Sequence, residues 1–313
     1  MATVAHTARP SKEGRASPLK RQETRAALAF ISPWFIGFLI FTAGPMVVSM
    51  GLSLTNYDVL NTPRFVGFKN YQDLLRDSRF LLSLGNSVYY TIFHVPLTII
   101  VSLSLAMLLS QVGRAAGFFR TVFYLPSITP AVAVGVLWRW ILNPRVGIVN
   151  QALKIFGISG PGWTTDPNWI KPGIVLMSLW SVGDTVIIFL AALRNVPPEL
   201  YEAASIDGAS GWQRFRHITV PLISGTIFFI LIVQTIGSLQ IFAEVYTMFF
   251  GQQESSAASS AGLFYNIYLF RQAFEFLKMG YASAMAWILF VIILILTAIQ
   301  LRFSQRWVYY EGG

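Results

Sequence analysis

Six long apolar runs constrain the fold of this chain more than any other feature of its sequence. Each has about 20 residues or more, the length that a helix needs to cross the roughly 30 Å hydrocarbon core of a membrane. Because no water is present there, a spanning segment must satisfy its own backbone hydrogen bonds, as a helix does. We therefore predict an all-α integral membrane protein with six transmembrane helices, at Leu28–Leu54, Leu84–Ser110, Thr121–Leu142, Pro172–Leu193, Leu222–Phe249 and Tyr281–Leu301.

The composition excludes soluble folds and most catalytic chemistry. Only 12% of the 313 residues are charged, whereas a soluble globular domain has about 25% charged residues. The chain has no cysteine, and its histidines (His6, His94 and His217) are too scattered in sequence to suggest a metal cluster. It also lacks the phosphate-binding loop G-x-x-x-x-G-K-[ST] and the hydrolase motifs H-E-x-x-H and G-x-S-x-G. We predict a transport protein without its own cofactor rather than an enzyme.

The distribution of basic residues predicts the orientation. Six spans place both termini on one side, where the connecting segments carry 13 lysines and arginines, against nine in the longer segments of the other side. Cytoplasmic segments are enriched in basic residues, so both termini are predicted to be cytoplasmic. Residues 1–27 are predicted to be a disordered basic tail, residues 28–305 the membrane domain and residues 306–313 a second short tail. This bias explains the net charge of +9 without a nucleic-acid partner.

Two of the predicted spans carry local signals. In the first, Ser32-Pro33 predicts a helix start and Gly44-Pro45 predicts a kink. Near the end of the third, Arg139 is flanked by tryptophans, as is typical of an anchor at the membrane interface.

Two segments on the side opposite the termini have apolar residues at helical spacing, Asn70–Leu82 and Val149–Ile158. Both are predicted to lie at the membrane surface. Two interpretations of these segments stay open, namely ordinary interfacial packing and a platform for an external protein.

The segment Arg194–Pro221, between the fourth and fifth spans, is too polar to cross a membrane and is patterned as a helix–turn–helix. Pro198 suits a first helical turn, and good helix formers follow it up to Ile206. Asp207-Gly208 predicts a break, because glycine enters the left-handed conformation without strain. Ser210 predicts the cap of a second helix that ends near residue 217. The side chains predicted to face a partner are Tyr201, Ala203, Ala204 and Ile206.

Within this segment, Glu202-Ala203-Ala204 is followed at fixed spacings by Gly208, Ile218 and Pro221. The pattern resembles the E-A-A-x3-G-x9-I-x-L-P loop of ABC importer permeases, and the one departure is Val220 in place of leucine. Other stretches are similar to the maltose-type group of that family, which carries carbohydrates and glycerophosphate. These stretches are Ser32-Pro33-Trp34, Phe65-x-Gly67-x-x-Asn70-Tyr71, Phe119-Arg120-x5-Pro126, Gly162-Trp163 and Gly280-Tyr281-Ala282-x-Ala284.

The resemblance implies that residues 194–221 dock into a separate ATPase, with Glu202 as the polar contact and Gly208 at the turn. It implies an ABC ATPase dimer that binds ATP and magnesium, a second homologous permease and an extracytoplasmic solute-binding protein, in the cytoplasmic membrane of a bacterium. Arg214 and Arg216 either form ion pairs with the ATPase or follow the positive-inside bias. The residues assigned to coupling are Glu202, Ala203, Ala204, Asp207, Gly208, Ile218 and Pro221.

The resemblance also implies a solute site near the middle of the membrane. Sugars are held by a flat aromatic side chain together with carboxylates and amides. Trp180 and Asp184, four residues apart in the fourth span, are predicted to share a helical face. The fifth span carries a stripe of polar and small residues, and the alternative is that such residues hold helices together. The residues predicted to line the pathway are Trp180, Asp184, Gln234 and Ser238, with Gly237 and Ile241 on the same stripe.

We therefore predict the membrane-spanning permease of an ATP-driven importer, which moves a sugar or a related polar solute by alternating access. One alternative is a secondary transporter that couples to ions through Asp184 and Glu244, and another is a polytopic membrane enzyme. The sequence shows neither clear inverted repeats nor clustered catalytic groups. Glu244 has three interpretations, as a gate, as a contact for the binding protein or as a partner of Arg139.

Overall fold

The computed structural model describes residues 18–113, 116–250 and 260–308, and these are mostly helical. Four helices are long and apolar enough to cross a membrane, and the number rises to six if each of two bent helix pairs counts as one span. The chain is therefore a mostly α-helical membrane protein. Besides helices and loops, the described ranges contain a small antiparallel β-hairpin, in which β1 (Thr55–Asn56) pairs with β2 (Arg64–Phe65).

The first helix begins earlier than predicted, at Pro18. Residues 18–27 are thus helical and are not part of a disordered tail, because proline suits a first turn and the arginine, glutamine and alanine residues that follow favour helix. Residues 1–17 and 309–313, which include the rest of both predicted tails, lie outside the described residues. The helix consists of α1 (Pro18–Phe38), a π-helical segment (Leu39–Ala43) and α2 (Gly44–Ser53).

The two proline signals in this helix have different outcomes. Ser32-Pro33 lies inside α1 and does not start it, so that prediction is wrong. The Ser32 hydroxyl donates to the Ala29 carbonyl one turn earlier, a bond that makes a serine compatible with a helix interior. At Gly44-Pro45, where a kink is predicted, the helix changes to the π-helical form just before the proline. The wider turn is a common adjustment where proline removes a helical hydrogen bond.

The hairpin leads into α3 (Lys69–Arg76) and then α4 (Ser78–Gln111). At 34 residues, α4 is about 51 Å long. The surface helix predicted at 70–82 is therefore divided between these two helices. Asp77 makes the division, because its backbone is extended and its carboxylate accepts from the Arg79 N–H to cap α4.

The third predicted span is not one straight helix. Its two parts are Ala116–Ile128, which consists of α5 (Ala116–Tyr124) and a 3₁₀ turn (Leu125–Ile128), and α6 (Ala131–Ile141), and they are bent by 100° relative to each other. Pro130 lies at the bend, and Thr129 before it is extended, because proline disfavours the helical conformation in the preceding residue.

A second bend interrupts the fourth predicted span. The helices α8 (Pro167–Leu179) and α9 (Gly183–Arg194) meet at 51°. A Cβ atom on Gly183 would collide with the backbone carbonyl of Phe123, so glycine is required for this approach of α9 to α5. The surface helix predicted at 149–158 is present as α7 (Ile148–Ile155).

The rest of the described chain contains two long helices, Ser224–Leu239 and Met279–Ser304, and several short ones. The fifth predicted span consists of two consecutive helices, and the sixth lies within the last helix. Two more π-helical segments occur, at Phe215–Thr219 and Arg271–Glu275. The helices are α10 (Pro198–Ile206), α11 (Gly211–Arg214), α12 (Val220–Leu222), α13 (Ser224–Leu239), α14 (Ala243–Phe249), α15 (Tyr265–Phe270) and α16 (Met279–Ser304).

Helix α4 is the axis of the packed part of the molecule, with α8, α9, α13 and α15 against it. One apolar core, which includes Phe264 and Tyr265, surrounds its N-terminal half. A second core, which includes Leu103 and Phe189, surrounds its C-terminal half. The first helix is different, because none of its most apolar stretch is buried within the chain. Its surface is left to face lipid or another protein.

Candidate solute cavity and coupling segment

A cavity of about 490 Å³ lies beside the middle of α4 and is walled by six helices, α4, α6, α8, α9, α13 and α14. His94 lies on this wall, about 24 Å from the N-terminal end of α4 and about 26 Å from its C-terminal end. Polar groups at such a depth between apolar helices are costly and by default mark a functional site. The polar and acidic residues that line the cavity are Tyr90, His94, Ser178, Ser181, Asp184, Gln234, Ser238, Gln240 and Glu244.

A chain of hydrogen bonds crosses the cavity wall from His94 to Asp184. The Nε2 atom of His94 donates to Oε1 of Gln234 over 3.3 Å, and Nε2 of Gln234 donates to the Thr185 hydroxyl over 3.1 Å. The hydroxyl in turn donates to Oδ1 of Asp184 over 3.3 Å. The direction is fixed at both ends, because an amide oxygen and a carboxylate only accept.

The other side of the His94 ring is also held. Its Nδ1 atom lies 2.8 Å from the Ser178 hydroxyl and 3.3 Å from the Thr98 hydroxyl. The Tyr90 ring stacks on the imidazole, with the ring centroids 4.8 Å apart. The imidazole therefore has one fixed orientation toward the cavity.

The polar stripe predicted in the fifth span lines the cavity along its length. Gln234, Gly237 and Ser238 lie on α13, and Ile241 lies in the break before α14. The Ser238 hydroxyl is 2.9 Å from the Thr91 hydroxyl on α4, so it also fixes α13 against that helix. Residues of the stripe thus line the cavity and also hold helices together.

Trp180 is the exception among the residues predicted for the solute pathway, because it does not line the cavity. The helix is broken at 180–182, so Trp180 and Asp184 do not share a helical face and that prediction is wrong. A spacing of four residues implies a shared face only in a continuous helix. The Trp180 ring instead packs edge-on against Trp138, with the ring centroids 6.2 Å apart.

Glu244 lines the cavity at the start of α14. Within residues 116–250 it forms no ion pair with Arg139, so that interpretation of Glu244 is not realised. The helices that carry the two residues meet at Gly135, where a Cβ atom would collide with the Glu244 carbonyl oxygen. Small residues permit such close approaches between membrane helices.

Four residues that organise the cavity are absent from the sequence predictions of the pathway: Tyr90, His94, Ser178 and Thr185. For His94 a signal exists, because it is a histidine inside a predicted span, where an ionisable group is costly. Ser178 and Thr185 carry no comparable signal, since hydroxyl groups are common in membrane helices. Among the described residues no group of three or more His, Asp or Glu residues is arranged to hold a metal ion.

The segment from α10 to α12, which we call the coupling segment, has helices at both positions that the sequence predicts. Gly208 has a left-handed backbone with φ of +74°, and the Ala209 N–H donates to the Ala204 carbonyl over 2.9 Å. This is a Schellman motif, in which the glycine turn satisfies carbonyls at the end of α10. Ser210 and Gln213 then form a reciprocal capping box at the start of α11.

Two side-chain contacts hold the helices of the coupling segment together. The Tyr201 and Thr219 hydroxyls are 2.8 Å apart, and Arg214 donates to the Ser205 hydroxyl over 3.0 Å. Tyr201 also packs against the second apolar core and is not exposed to a partner as predicted. Arg214 thus also braces the segment from within, a contact that the sequence does not predict.

The exposed surface of the coupling segment is formed by most of the residues assigned to coupling. Glu202, Ala203, Asp207 and Gly208 are exposed, and Ala204 is half-buried. Ile206, which the sequence predicts to face a partner, is 87% exposed. Ile218 and Pro221 are half-buried, and Ile218 packs against the second apolar core.

Residues 84–309 match the protein family described as "Binding-protein-dependent transport system inner membrane component". The chain belongs to this family. The matched part includes nearly all of α4, the cavity and the coupling segment. The permease is thus the membrane-spanning subunit of an ATP-driven ABC importer.

Curated relatives have the same function class. The "Probable ABC transporter permease protein YesP" of Bacillus subtilis is 39% identical over 295 residues, which cover 93% of this chain and 94% of its own length. The lactose transport system permease LacF of Rhizobium radiobacter is 32% identical, with 91% and 95% covered. The sn-glycerol-3-phosphate transport system permease UgpA of Agrobacterium fabrum is 33% identical, with 90% and 94% covered. The permease is a transport component rather than an enzyme, and the ion-coupled alternative has no support.

Solved structures share the fold over almost the whole chain. A bacterial alginate ABC transporter, crystallised with an alginate pentasaccharide-bound periplasmic protein, aligns with a TM-score of 0.82 at 23% identity, covering 93% of this chain and 98% of that one. A second structure of a bacterial ABC transporter involved in alginate import aligns with a TM-score of 0.79 at 25% identity, covering 92% and 98%. The arrangement of helices around α4 is therefore that of an ABC transporter membrane subunit.

Proposed function

We propose that the permease moves a neutral sugar through the cavity around His94, and that the coupling segment links this movement to a separate ATPase. In this proposal each bent helix pair is one of six spans, and both termini are cytoplasmic. The permease pairs with a second, homologous permease and receives its solute from an extracytoplasmic binding protein. The ATPase dimer binds ATP and magnesium. The observation that carries the proposal is the hydrogen-bonded chain from His94 to Asp184 in a cavity halfway along α4.

The chemistry of the cavity supports a neutral, hydroxyl-rich solute. Its lining includes two carboxylates, Asp184 and Glu244, and the amides of Gln234 and Gln240, but none of the lining residues is a lysine or an arginine. Carboxylates and amides accept hydrogen bonds from sugar hydroxyls, and Tyr90 adds an aromatic surface. An anionic phosphate ester would meet like charge without compensation. Of the solutes named for the relatives, lactose therefore suits this cavity better than sn-glycerol-3-phosphate.

The position of the coupling segment supports its proposed role. Tyr201, Arg214 and Thr219 line a groove together with Met107 and Gln111 at the C-terminal end of α4. This groove is about 20 Å from His94 along the helix, at 1.5 Å per residue. A motion at the segment reaches the cavity through packed helices, which transmit rotation when their interfaces have discrete arrangements. The exposed Glu202 and Ile206 are the contacts that we assign to the ATPase side.

Uptake by intact cells tests the proposal. Cells that lack the gene are complemented with the wild-type permease or with Gln234→Leu, and accumulation of labelled lactose, maltotriose and sn-glycerol-3-phosphate is measured with and without depletion of ATP. We expect ATP-dependent uptake of at least one neutral sugar, no uptake of the phosphate ester and reduced sugar uptake by Gln234→Leu. Gln151→Leu is the control, because this glutamine is exposed on α7 and is not among the residues that line the cavity.

Two results would contradict the proposal. Uptake of the phosphate ester alone would exclude the neutral solute class. Sugar uptake that continues after ATP depletion would exclude coupling to an ATPase.

A further inference from the structure

A second polar pocket, with a volume of about 390 Å³, lies at the N-terminal end of α4. We call it the hairpin pocket, because it is enclosed by the β1–β2 hairpin, α3, the segment around Gln272 and the start of α16. Its lining consists of two carboxylates, three amides, one lysine and three tyrosines, without an aliphatic side chain. It shares no lining residue with the central cavity. The coupling segment lies at the other end of α4.

The walls of the hairpin pocket are held by sequence motifs that neither the cavity nor the coupling segment uses. Asn70 donates to the carbonyls of Ser53 and Thr55, over 2.8 and 2.9 Å. The Gly280 N–H donates to the Tyr57 carbonyl over 3.1 Å. A Cβ atom on Gly280 would collide with the Thr55 carbonyl oxygen, so glycine is required for the start of α16 to lie against the hairpin. The pocket is thus preformed.

Asp77 completes the wall and is already fully paired. Its Oδ2 atom accepts from the hydroxyls of Tyr268 and Tyr281 over 2.6 and 2.7 Å, and Oδ1 accepts from the Arg79 N–H over 2.9 Å. Both carboxylate oxygens are therefore occupied. Asp77 fixes the two tyrosine rings and has little capacity left to coordinate a ligand.

Three other groups of the hairpin pocket lack partners. Gln272 is only 6% exposed, and its Oε1 atom has no hydrogen-bond partner. Buried amide oxygens are nearly always paired, because an unpaired one loses its hydrogen bond to water without gaining another. The Asp73 and Lys278 side chains are exposed at the rim, and neither side chain forms a hydrogen bond or ion pair with the described residues. The pocket thus offers two free acceptors and one free donor.

We propose that the hairpin pocket binds a saccharide, as a second site separate from the central cavity. Hydroxyl groups donate and accept at once, so one molecule can pair with Gln272, Asp73 and Lys278, while tyrosine rings cover its apolar faces. The terminal amide torsion of Gln272 is soft enough to turn the oxygen toward the ligand. A metal cation fits poorly, because both oxygens of Asp77 are occupied and Lys278 adds positive charge. The solute class rests on the proposed function, and the existence of the site does not.

Binding to the full chain in lipid nanodiscs tests this site apart from transport. His94→Leu is used as the background, because it should weaken solute binding in the central cavity and His94 is not among the residues that line the hairpin pocket. Lactose and maltotriose are the probes, and saturation-transfer difference NMR measures their binding. We expect one of the two to bind, and Gln272→Leu and Asp73→Asn each to weaken its binding about tenfold. Gln300→Leu is the matched control, because the buried Oε1 atom of Gln300 on α16 is also unpaired but lies outside the pocket.

The possible outcomes separate this inference from the proposed function. Absence of binding by both sugars in the His94→Leu background, or equal binding by Gln272→Leu, Asp73→Asn and Gln300→Leu, would overturn the hairpin site. So would displacement of bound sugar by calcium chloride alone, because it would make the pocket a cation site. Because Asp73 is exposed and unpaired, Asp73→Asn keeps the test valid even if Gln272→Leu fails to fold. Loss of cellular uptake with intact binding here would count only against the proposed function.

Discussion

The coupling segment and the central cavity are built in opposite ways. Side-chain hydrogen bonds within the coupling segment join residues at most 18 positions apart, as between Tyr201 and Thr219. Those of the cavity reach 140 positions, between His94 and Gln234, and 147 positions, between Ser238 and Thr91. We therefore expect the segment to keep its shape when helices move and the cavity to rearrange. The contrast is what alternating access requires, since a rigid element must drive a site that rearranges.

This contrast predicts different consequences for variants in the two regions. Changes in the cavity should alter helix packing or the apparent affinity for solute. Changes in the coupling segment should alter the rate of ATP-driven transport at unchanged affinity.

Gly183→Ala should have the largest effect, because it disturbs the helix contacts around the cavity. The new Cβ atom would collide with the backbone of Phe123 and Tyr124, which cannot rotate away as a side chain can. We expect a loss of about 3 kcal/mol or more in the free energy of unfolding. Size-exclusion chromatography of the detergent-extracted permease measures the folded yield. Gly237→Ala is the control, because its Cβ atom would meet open space, and equal yields of the two variants would contradict the contact between α5 and α9.

Gly208→Pro should come next and act only through the coupling segment. The backbone φ of Gly208 is +74°, whereas proline fixes φ near −65°. We expect ATP-driven uptake to fall about tenfold or more at a normal folded yield, since the turn between α10 and α11 is lost. Gly208→Asn should retain most uptake, because asparagine tolerates the left-handed conformation. Loss of uptake in both variants would mean that position 208 must lack a side chain, and that the left-handed turn alone is not sufficient.

His94→Leu and Glu202→Ala should separate the two regions kinetically. We expect His94→Leu to raise the solute concentration for half-maximal uptake about tenfold, because it breaks the chain to Gln234. Glu202→Ala should lower maximal uptake and solute-stimulated ATP hydrolysis without changing that concentration. Glu199→Ala is the matched control in the first turn of the same helix. The same kinetic change in His94→Leu and Glu202→Ala would contradict the division of roles.

The stability that Asp77 contributes at the hairpin pocket, outside both regions, should depend on pH. Burial raises the pKa of Asp77, but the hydrogen bonds from two tyrosines and the backbone outweigh burial and hold the pKa below 3.8. The carboxylate thus contributes stability that is present above pH 3.8 and lost as the pH falls through the lowered pKa. Thermal unfolding should therefore show Asp77→Asn less stable than wild type near neutral pH, with the difference shrinking in acid. A difference that is constant with pH would contradict this assignment.

Tyr201→Phe should have the smallest effect. It removes only the hydroxyl that lies 2.8 Å from that of Thr219, and a single neutral hydrogen bond contributes about 1 kcal/mol. We expect a slight fall in the unfolding temperature and nearly normal uptake. A loss of uptake as large as that of Gly208→Pro would show that this contact is part of the coupling itself.

Much of the coupling segment could be predicted from sequence because its signals are local. Pro198, Gly208 and Ser210 each act within one helical turn, through a first-turn proline, a left-handed glycine and a capping hydroxyl. The apolar runs likewise identified every region that contains a long membrane helix. The start of α1 was missed, because a serine–proline pair is compatible with both a helix start and a helix interior.

The sequence alone therefore determined the membrane character of the permease, its apolar helices and the shape of the coupling segment, since these depend on neighbours along the chain. Only the tertiary structure decided that the helix breaks before Asp184, that Trp180 packs against Trp138 and does not line the cavity, and that His94 connects α4 to α13. It also brought Asp77, Gln272 and Lys278 together at the hairpin pocket. The physical reason is that each of these features needs a contact between helices far apart in sequence, and no residue spacing along one helix encodes which neighbour it will meet.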